Sequence, residues 1–505
     1  MATAARAPDS RPHVELASTA TRAFLARPPH LIVAGVREDW TGPTIATVDP
    51  STGEPLATVA AADADAVDRA VAAARTLLRD PAYAEMRPAD RERMLLRLAD
   101  LVERDAALLA ELDALETGKP LGTGRGILQG AAAFVRYMAG WATKIHGRTF
   151  TPSPRQPGLT LHGYTLRESV GVAACIIPWN VAVLMAAWKV APALATGCAV
   201  ILKPAEGASL TALRFGELVA EAGFPAGALS VLPGFGGVAG QALVDHPDVD
   251  KIAFTGSTAV GLRIAAAAGA RMARTTMELG GKSPILVLPD ADPDATARAA
   301  AHAAFYNSGQ ICGAGTRLIA PRALADELAE RILVIAGGYR AGPALDPGTD
   351  FGPLASPAQS DKVRRLLAAA AAEGGEIARA PLTLPDRGLF VAPHLVLGAD
   401  PRSTIFREEV FGPVLTVTPY DDVEEAIGLC NDSDYGLAAG VFGRDGRAVR
   451  RAVRALRAGT VWVNCYHVYD ATMPFGGLGR SGLGRELGEE VLDNFLETKT
   501  VAEAY

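Results

Sequence analysis

One cysteine in a glycine-rich segment is the first candidate for a reacting group. Cys312 lies in YNSGQICGAGTR, beside three glycines: Gly309, Gly313 and Gly315. A cysteine thiolate is a strong nucleophile, and glycines let backbone amides approach a reacting atom closely. A lone cysteine in an apolar segment is, however, more often a small core residue. Cys312 therefore needs a base and an oxyanion donor before its segment predicts catalysis.

Two polar residues elsewhere in the chain could supply those partners. Glu278, in MELGGKSP, could take a proton from a thiol or a water inside a cleft, although it could also be a glutamate in solvent. Asn180, at the end of the apolar run in IIPWN, could donate its amide N–H to an oxyanion, or it could form a turn or helix cap. Together the three residues predict nucleophilic chemistry at a carbonyl.

Glycine-rich segments after two apolar runs match dinucleotide-binding patterns. GFGGVA contains Gly236 and fits GxGxxA, whereas FTGSTAVG contains Gly256 and Ser257 in a looser turn. Each match alone is expected by chance in a chain with 52 glycines. Both lie where a strand is predicted to lead into a helix, and helix N-termini bind pyrophosphate. We therefore expect both segments near a dinucleotide.

The elements that must position these residues alternate between apolar runs and helical patterns. The runs VGVAACIIP, AVILKP, ALSVLP and KIAFTG are each followed by a helical pattern. This order predicts a doubly wound parallel sheet that is buried on both faces and binds ligands beyond the carboxyl ends of its strands. The segments PWN, KPAE, GFG and TGS follow the four runs. They are therefore predicted to share one edge of the sheet.

Other patterns predict the remaining architecture. Residues 44–61 form two β-prone runs around a turn, which predicts a hairpin. Helical spacing of apolar residues predicts three helices, at 63–78, 88–116 and 127–146. Residues 150–167 predict an exposed antiparallel ribbon, FLETKTV predicts a strand, and a second α/β unit begins at PILVLPD and contains Cys312.

Composition limits the classes of partner. The chain has 505 residues, 49% of them hydrophobic, which suits two or three domains. A net charge of −7 provides no basic field for nucleic acid or an anionic membrane, so we expect a small-molecule partner. The five cysteines show no spacing for a metal or disulfides. They therefore predict reduced thiols and no metal. The sequence shows neither the apolar stretch of a secretory signal peptide nor a membrane-spanning run, which predicts a cytoplasmic location.

Taken together, the segments resemble the aldehyde dehydrogenase superfamily over about residues 44–501. The stretches that carry the resemblance are IIPWN, AWKVAPALATGCAVILKPAE, KIAFTGST, MELGGKSP, GQICGAGTR, REEVFGPV, YGLAAGVF and MPFGGLGRSGLGRE. The resemblance implies an α/β fold with a Rossmann-like doubly wound cofactor domain, an α/β catalytic domain and a small β bridging element.

The domain boundaries that the resemblance implies are as follows. The NAD-binding domain comprises residues 21–150 and 169–277, and the catalytic domain comprises residues 278–480. The bridging and oligomerisation element comprises residues 151–168 and 481–505, and residues 1–20 are expected to be a flexible extension. The ribbon is expected to pair with FLETKTV of a neighbouring subunit in a homodimer or homotetramer.

The resemblance also implies a reaction and the residues that perform it. An aldehyde is oxidised to its carboxylic acid through a thiohemiacetal and a thioester on Cys312. Glu278 is the general base, and Asn180 with the Cys312 amide forms the oxyanion hole. The resemblance implies that Lys189 is a further catalytic residue. A glutamate at position 278 favours hydrolysis of the thioester over acyl transfer to coenzyme A.

NAD is the cofactor that the resemblance implies. Lys203 and Glu206 of KPAE are expected at the adenosine ribose, where a carboxylate would repel a 2′-phosphate and so favour NAD over NADP. By the same resemblance, the GFGGVA segment is expected next to the cofactor but is not the main segment that binds it. The other positions expected to contact the cofactor are Ile176, Pro178, Trp179, Gly236, Gly256, Ser257, Leu279, Glu409 and Phe411.

The expected substrate tunnel is apolar and aromatic. After Asn180 this chain has Val181-Ala182, where many members of the family have Phe-Pro. The smaller side chains predict extra room at the tunnel mouth for bulky aldehydes. The tunnel positions are Val181, Met185, Trp188, Tyr306, Ile311, Tyr469 and Phe475. They include no arginine, so dicarboxylic semialdehydes are disfavoured.

Within the superfamily, the chain is most similar to the phenylacetaldehyde dehydrogenase-like group, in the stretches RYMAGWATKIHG, TLRESVGV and WVNCYHVYDATMPFGG. The alternative substrate is betaine aldehyde, whose quaternary ammonium the aromatic rings could hold by cation–π contacts.

Two other classes of function compete with this interpretation. A non-redox thiol acyl-transferase or esterase could use Cys312 and Glu278, but it would have no use for a cofactor domain or for Lys203 and Glu206. A non-catalytic NAD-binding scaffold would not need the nucleophile, base and oxyanion donor together. Aldehyde oxidation is the interpretation that uses every feature.

Overall fold

A computed structural model describes residues 13–153 and 158–505. The α-helices are α1 (Thr19–Leu25), α2 (Ala64–Arg79), α3 (Pro81–Ala84), α4 (Pro88–Arg104), α5 (Ala106–Thr117), α6 (Leu121–Ala142), α7 (Ala182–Ala195), α8 (Leu210–Glu221), α9 (Gln241–Asp245), α10 (Thr258–Ala270), α11 (Pro293–Phe305), α12 (Arg322–Gly337), α13 (Pro357–Ala372), α14 (Thr404–Arg407), α15 (Val423–Asn431) and α16 (Gly446–Ala455). Short 3₁₀ or π turns span His13–Leu16, Gly236–Gly240, Tyr306–Gly309 and Glu490–Asn494.

The strands range from two to nine residues in length. They are β1 (His30–Val33), β2 (Val36–Asp39), β3 (Thr44–Val48), β4 (Pro55–Ala60), β5 (Thr149–Phe150), β6 (Leu161–Ser169), β7 (Val172–Ile176), β8 (Ala199–Lys203), β9 (Leu229–Val231), β10 (Lys251–Thr255), β11 (Arg274–Glu278), β12 (Ser283–Val287), β13 (Gly315–Pro321), β14 (Glu376–Arg379), β15 (His394–Leu397), β16 (Val414–Tyr420), β17 (Tyr435–Gly436), β18 (Ala438–Phe442), β19 (Thr460–Val463), β20 (Leu478–Gly479), β21 (Gly482–Leu483) and β22 (Leu496–Ala504).

The first large sheet is the predicted doubly wound one. Its order is β2-β1-β9-β8-β7-β10-β11-β21, and β9, β8, β7, β10 and β11 are parallel. Every residue of β7, β8 and β10 is buried, because helices cover both faces. The four apolar runs are therefore strands in one parallel sheet, as the sequence predicts.

A second sheet contains the strands around Cys312. Its order is β14-β15-β16-β13-β12-β18-β19, and all neighbours are parallel except β14 and β15. Strand β12 begins five residues after Glu278, and β13 begins three residues after Cys312. The two sheets therefore meet at the segments that carry the candidate chemistry.

The predicted hairpin and helices are present, with two differences. The helix predicted at 127–146 begins and ends earlier in the chain, as α6 (Leu121–Ala142). Strands β3 and β4 pair antiparallel, and α2 begins after Asp63, whose carboxylate accepts a hydrogen bond from Ala66 N at 2.9 Å. The helix predicted at 88–116 is instead two helices, α4 and α5. Asp105 separates them because its backbone leaves the helical region (φ −94°, ψ 10°).

The ribbon and the C-terminal strand pair within one chain. Strand β22 lies antiparallel to β6, from Leu496 opposite Ser169 to Ala504 opposite Leu161, and β5 lies on the other side of β6. The predicted pairing with FLETKTV of a neighbouring subunit is therefore wrong for this strand. The two segments lie close enough in the fold to satisfy each other's backbone groups. The homodimer or homotetramer stays a prediction.

The ends of the predicted domains divide differently from expectation. Residues 481–505 were expected in the bridging element, but β21 pairs with β11 of the first sheet, while β22 joins the ribbon. Residues 1–12 of the expected flexible extension, and 154–157 of the ribbon, lie outside the described residues. Among residues 13–20, His13 is buried against Asp49 and accepts a hydrogen bond from Leu345 N at 3.0 Å.

The described residues contain neither a membrane-spanning helix nor a cluster of metal-binding side chains. No helix in 13–153 or 158–505 is both long and apolar enough to cross a membrane. Within the same ranges, no group of three or more histidine, cysteine, aspartate or glutamate side chains is arranged to hold a metal ion.

Candidate active site

The carboxyl ends of the parallel strands bring the predicted segments to one edge. Parallel strands end on the same side of a sheet, about 4.8 Å apart. Along that edge, Gly236 follows β9, Lys203 ends β8, Ile176 ends β7, Gly256 follows β10 and Glu278 ends β11. The edge therefore runs from the segments expected at the adenosine to the expected base.

A cavity of about 630 Å³ lies at the Glu278 end of this edge, between the two sheets. The predicted residues that line it are Pro178, Trp179, Asn180, Val181, Met185, Trp188, Gly256, Ser257, Glu278, Leu279, Tyr306, Ile311, Cys312, Glu409, Phe411, Tyr469 and Phe475. Five predicted residues do not line it, namely Ile176, Lys189, Lys203, Glu206 and Gly236. The cavity thus unites the expected reacting groups with the tunnel.

Cys312 lies in a turn between α11 and β13 and is partly exposed to the cavity. The preceding residues Asn307 and Ser308 adopt left-handed conformations (φ 51° and 54°), which turn the chain sharply toward the cavity. Burial, followed by the nearby Glu409 and Glu278 carboxyls, raises the pKa of the Cys312 thiol to about 12. The thiol is therefore protonated at neutral pH and needs a proton acceptor when it reacts.

Glu278 is a buried carboxyl that makes no hydrogen bond. Its side chain is at the end of β11 and the residue is only 4% exposed. Neither carboxyl oxygen has a partner within the described part of the chain. Burial, and then repulsion from Glu486, holds the pKa of Glu278 well above its usual range. An unpartnered buried carboxyl beside a cavity is a group suited to accept a proton from a bound molecule.

Asn180 follows β7 and is held in place by the Cys312 segment. Its Nδ2 donates to the Gln310 carbonyl at 2.8 Å, and the residue is 4% exposed. Nδ2 carries two hydrogens, so one remains for another acceptor. The backbone N–H of Cys312 donates to no protein acceptor among the described residues. Both residues line the same cavity, and the bond to Gln310 ties Asn180 to the segment that carries Cys312.

Lys189 lies behind the cavity. It is 1% exposed and forms an ion pair with Glu486, which is also buried. Both residues influence Glu278, because Glu486 raises its pKa and Lys189 lowers it. Glu486 was not among the predicted site residues, although it ends the stretch MPFGGLGRSGLGRE that helped to carry the resemblance.

Lys203, Glu206 and Gly236 form a separate polar cluster. The Glu206 carboxylate accepts a hydrogen bond from Gly236 N at 2.7 Å, and Lys203 Nζ donates to Pro204 O at 2.9 Å. Burial lowers the pKa of Lys203, and Glu206 partly opposes this shift. The cluster places a carboxylate and an amine together at the β8 end of the sheet edge.

Glu409 and Phe411 enter the cavity from the second half of the chain. Glu409 accepts a hydrogen bond from Gly281 N at 3.0 Å, and burial raises its pKa. Phe411 has a left-handed backbone (φ 56°), and its ring meets that of Trp179 edge-on at 5.4 Å. These contacts join the segment after β7 to the segment before β16.

One face of α7 forms the apolar wall of the tunnel. Val181, Met185 and Trp188 follow helical spacing, so their side chains share a face. The Trp188 ring lies 6.3 Å from that of Tyr469 and 6.2 Å from that of Phe475. The lining residues that the sequence did not predict include Phe134, Leu184, His302, Gln359, Lys362, His467 and Asp470. The spacing of apolar residues in the sequence predicts which helix or strand such residues belong to. It does not predict which helices and strands pack together around the cavity.

Comparisons with known proteins agree with this geometry. The family model described as "Aldehyde dehydrogenase family" matches residues 37–501. The chain is similar to a phenylacetaldehyde dehydrogenase from Pseudomonas fluorescens, at 43% identity over 92% of this chain and 93% of that protein.

Two solved structures extend the likeness to the whole fold. One is an NAD⁺ complex of an aldehyde dehydrogenase from Bacillus cereus, with a TM-score of 0.93 and 38% identity over 96% of this chain and 98% of that one. The other is an indole-3-acetaldehyde dehydrogenase with NAD⁺, with a TM-score of 0.92 and 37% identity over 98% and 99% of the two chains. The predicted fold class is confirmed, and the chain belongs to the aldehyde dehydrogenase family.

Proposed function

We propose that this protein oxidises an aldehyde to its carboxylic acid, with NAD as hydride acceptor and a thioester on Cys312. The observation that carries the proposal is the convergence of Cys312, Glu278 and Asn180 on one cavity. A non-redox acyl-transferase would not need the cluster at Glu206 on the sheet edge. A non-catalytic NAD-binding scaffold would not need the unpartnered carboxyl of Glu278.

The first half-reaction forms the thioester. The partly exposed Cys312 thiol releases its proton to solvent, and its sulfur forms a bond to the aldehyde carbon. Asn180 Nδ2 and the Cys312 N–H donate to the alkoxide oxygen, which stabilises the charge that develops there. When bound, NAD supplies the acceptor for the hydride that leaves this carbon. The C–H bond breaks, the C=O bond re-forms and the acyl group remains on sulfur.

The second half-reaction hydrolyses the thioester. Glu278 takes a proton from a water, the oxygen of which attacks the acyl carbon, and the carbon–sulfur bond breaks. The acid leaves, and Cys312 regains a proton. Lys189 does not line the cavity, so we assign it a positioning role: with Glu486 it sets the charge around Glu278.

The sheet edge fits a dinucleotide. The N-terminus of α10 begins after Ser257, which lines the cavity, so its backbone N–H groups suit a pyrophosphate. Trp179 and Phe411 form an aromatic wall beside Glu409 where a nicotinamide would lie. At the other end of the edge, the Glu206 carboxylate suits a ribose with free hydroxyl groups.

Replacing Glu206 by Gln should weaken the preference for NAD. The substitution removes the carboxylate that would repel a 2′-phosphate, since like charges placed together cost several kcal/mol. We expect the ratio of kcat/KM for NAD to kcat/KM for NADP to fall by about tenfold to a hundredfold. The measurement is NADH and NADPH formation at a saturating aldehyde concentration.

The matched control for this substitution is Glu54→Gln. It removes the same charge from an exposed turn and should leave the ratio unchanged. An unchanged ratio in Glu206→Gln would show that this carboxylate does not select the cofactor.

We further propose that the aldehyde is aromatic, arylaliphatic or otherwise bulky and apolar. Val181, Met185 and Trp188 give the tunnel an apolar wall, and the Tyr469 and Phe475 rings meet at 5.3 Å beside it. The relatives named for phenylacetaldehyde and indole-3-acetaldehyde support the same class. The rings could also surround a quaternary ammonium, which keeps betaine aldehyde as the second candidate.

An aldehyde panel tests the proposed function. It compares phenylacetaldehyde, a long-chain aliphatic aldehyde, a terpenoid aldehyde, betaine aldehyde and a dicarboxylic semialdehyde, each with NAD and with NADP. We expect the highest kcat/KM with phenylacetaldehyde or another bulky apolar aldehyde, and the lowest with the semialdehyde, because the tunnel lacks arginine. The highest value with betaine aldehyde would support the second candidate, and no NADH from any aldehyde would refute the function.

A further inference from the structure

We propose that the tunnel has a polar face, formed by His302, Tyr306, His467 and Tyr469, which selects aldehydes that carry an uncharged hydroxyl group on an aromatic ring. This inference rests on the proposed function. It narrows the substrate class from bulky apolar aldehydes to hydroxyaryl aldehydes.

The four rings of the polar face form a continuous row. His302 on α11 precedes Tyr306 by four residues, so the two side chains share a face, with ring centroids 5.1 Å apart. His467 lies 5.5 Å from His302 and 5.7 Å from Tyr306, and it stacks on Tyr469 at 6.2 Å. All four residues line the cavity.

The row extends from the nucleophile to the solvent. A methyl group at Gly313, the residue after Cys312, would lie 3.0 Å from the Tyr469 hydroxyl, so this end of the row is next to the reacting thiol. At the other end, His302 is exposed. A substrate bound at Cys312 therefore lies beside these rings, all four of which line the cavity.

The ring nitrogens of His467 are not used by the described residues. Neither ring nitrogen of His467 has a hydrogen-bond partner in the described part of the chain, although both are buried. Buried polar groups are normally satisfied, so unpaired ones that line a cavity indicate a ligand that pairs with them.

The backbone supports the same interpretation. His467 adopts a left-handed conformation (φ 56°), which is uncommon for a residue with a side chain. Asn464, also left-handed, fixes the start of this turn through hydrogen bonds to Gly443 N at 3.0 Å and Gly443 O at 2.9 Å. Strained conformations of this kind concentrate at functional sites. Here the strain turns an imidazole toward the tunnel.

The charge of the face determines what it selects. Burial lowers the pKa of His467 to about 3, so this ring is neutral at neutral pH. A neutral imidazole has one donor and one acceptor, and a phenol has both. A hydroxyl group likewise donates and accepts. The exposed carboxylate of Asp470, which also lines the cavity, disfavours an anionic substrate.

An apolar surface of the same cavity explains why the hydroxyl should be on an aromatic ring. Phe134, Leu184, Met185 and Trp188 form an apolar surface, with the Phe134 and Trp188 rings 6.3 Å apart. An aryl ring would pack against this surface, and only its substituents would reach the polar face. The two walls together match an apolar ring with a polar edge.

The test compares phenylacetaldehyde with its 3-hydroxy and 4-hydroxy derivatives. The readout is the ratio of kcat/KM for the better hydroxylated aldehyde to kcat/KM for phenylacetaldehyde. We expect a ratio of about ten or more for the unmodified protein, since a site with hydrogen-bonding groups for a hydroxyl discriminates against the analogue that lacks it. The ratio should fall toward one in His302→Phe and in Tyr306→Phe, which keep the rings and remove polar atoms.

The control is His162→Phe, the same change at an exposed position of β6 that does not line the cavity, which should leave the ratio unchanged. Thermal unfolding of each variant checks that it folds, and either of the two polar-face variants suffices for the comparison. A ratio near one in the unmodified protein, or an unchanged ratio in both variants, would overturn the polar face while leaving the proposed function intact. Absence of NADH from all three aldehydes would instead refute the aromatic substrate class of the proposed function.

Discussion

Replacing Cys312 by alanine is expected to lower NADH formation from every aldehyde by at least about 10⁴-fold. Alanine has no atom that can form the bond to the aldehyde carbon, so neither the thiohemiacetal nor the thioester can form. No other thiol can substitute, because among the described residues the cavity is lined by Cys312 alone of the five cysteines. Steady-state absorbance of NADH at saturating aldehyde measures the loss.

Two controls separate loss of chemistry from loss of structure. NAD binding by the Cys312→Ala variant, measured by calorimetry, should stay within a few-fold of the unmodified protein, since the expected cofactor positions lie on other segments. Cys465→Ala removes a partly exposed thiol that does not line the cavity and should retain activity. Turnover by Cys312→Ala at the normal rate would exclude the thioester mechanism.

Replacing Glu278 by Gln is expected to slow steady-state turnover by about 10²-fold to 10⁴-fold, the usual contribution of a general base. Glutamine keeps the shape of the side chain but cannot accept the proton of the attacking water. Hydrolysis of the thioester should therefore slow more than its formation. Stopped-flow mixing should still show a rapid burst of NADH, with an amplitude close to the concentration of active sites.

The pH dependence provides an independent check on Glu278. Its pKa is held well above the usual range, mainly by burial, so the carboxyl is protonated at low pH and becomes a base only as the pH rises. Thioester hydrolysis by the unmodified protein should therefore become faster with increasing pH, and the Gln variant should lose this dependence. If the variant shows no burst, Glu278 acts chiefly by activating the Cys312 thiol.

The sequence predicts the parallel sheet and its functional edge well because both depend on local patterns. Fully apolar runs such as those of β7, β8 and β10 are typical of buried parallel strands, and the residue after each run must lie at the shared edge. The resemblance then identifies Cys312 and Glu278 among many residues of the same types. The structure places both in one cavity.

Features that depend on how distant segments meet were not predicted correctly. Strand β22 was expected to pair with another subunit, and only the folded chain shows that β6 lies beside it. The packed position of His13 depends on Asp49 and Leu345, which are far away in sequence. The position of His467 depends on a left-handed turn, for which the sequence gives no periodic signal.

The acyl group on Cys312 is the central claim, and mass spectrometry of the Glu278→Gln variant tests it most directly. The variant is mixed with NAD and phenylacetaldehyde, quenched in acid and digested. We predict that the peptide containing Cys312 gains the mass of the aldehyde less two hydrogens, because one leaves as hydride and one as a proton. An unmodified Cys312 peptide after a full burst of NADH, or the same mass gain on a different residue, would contradict the mechanism.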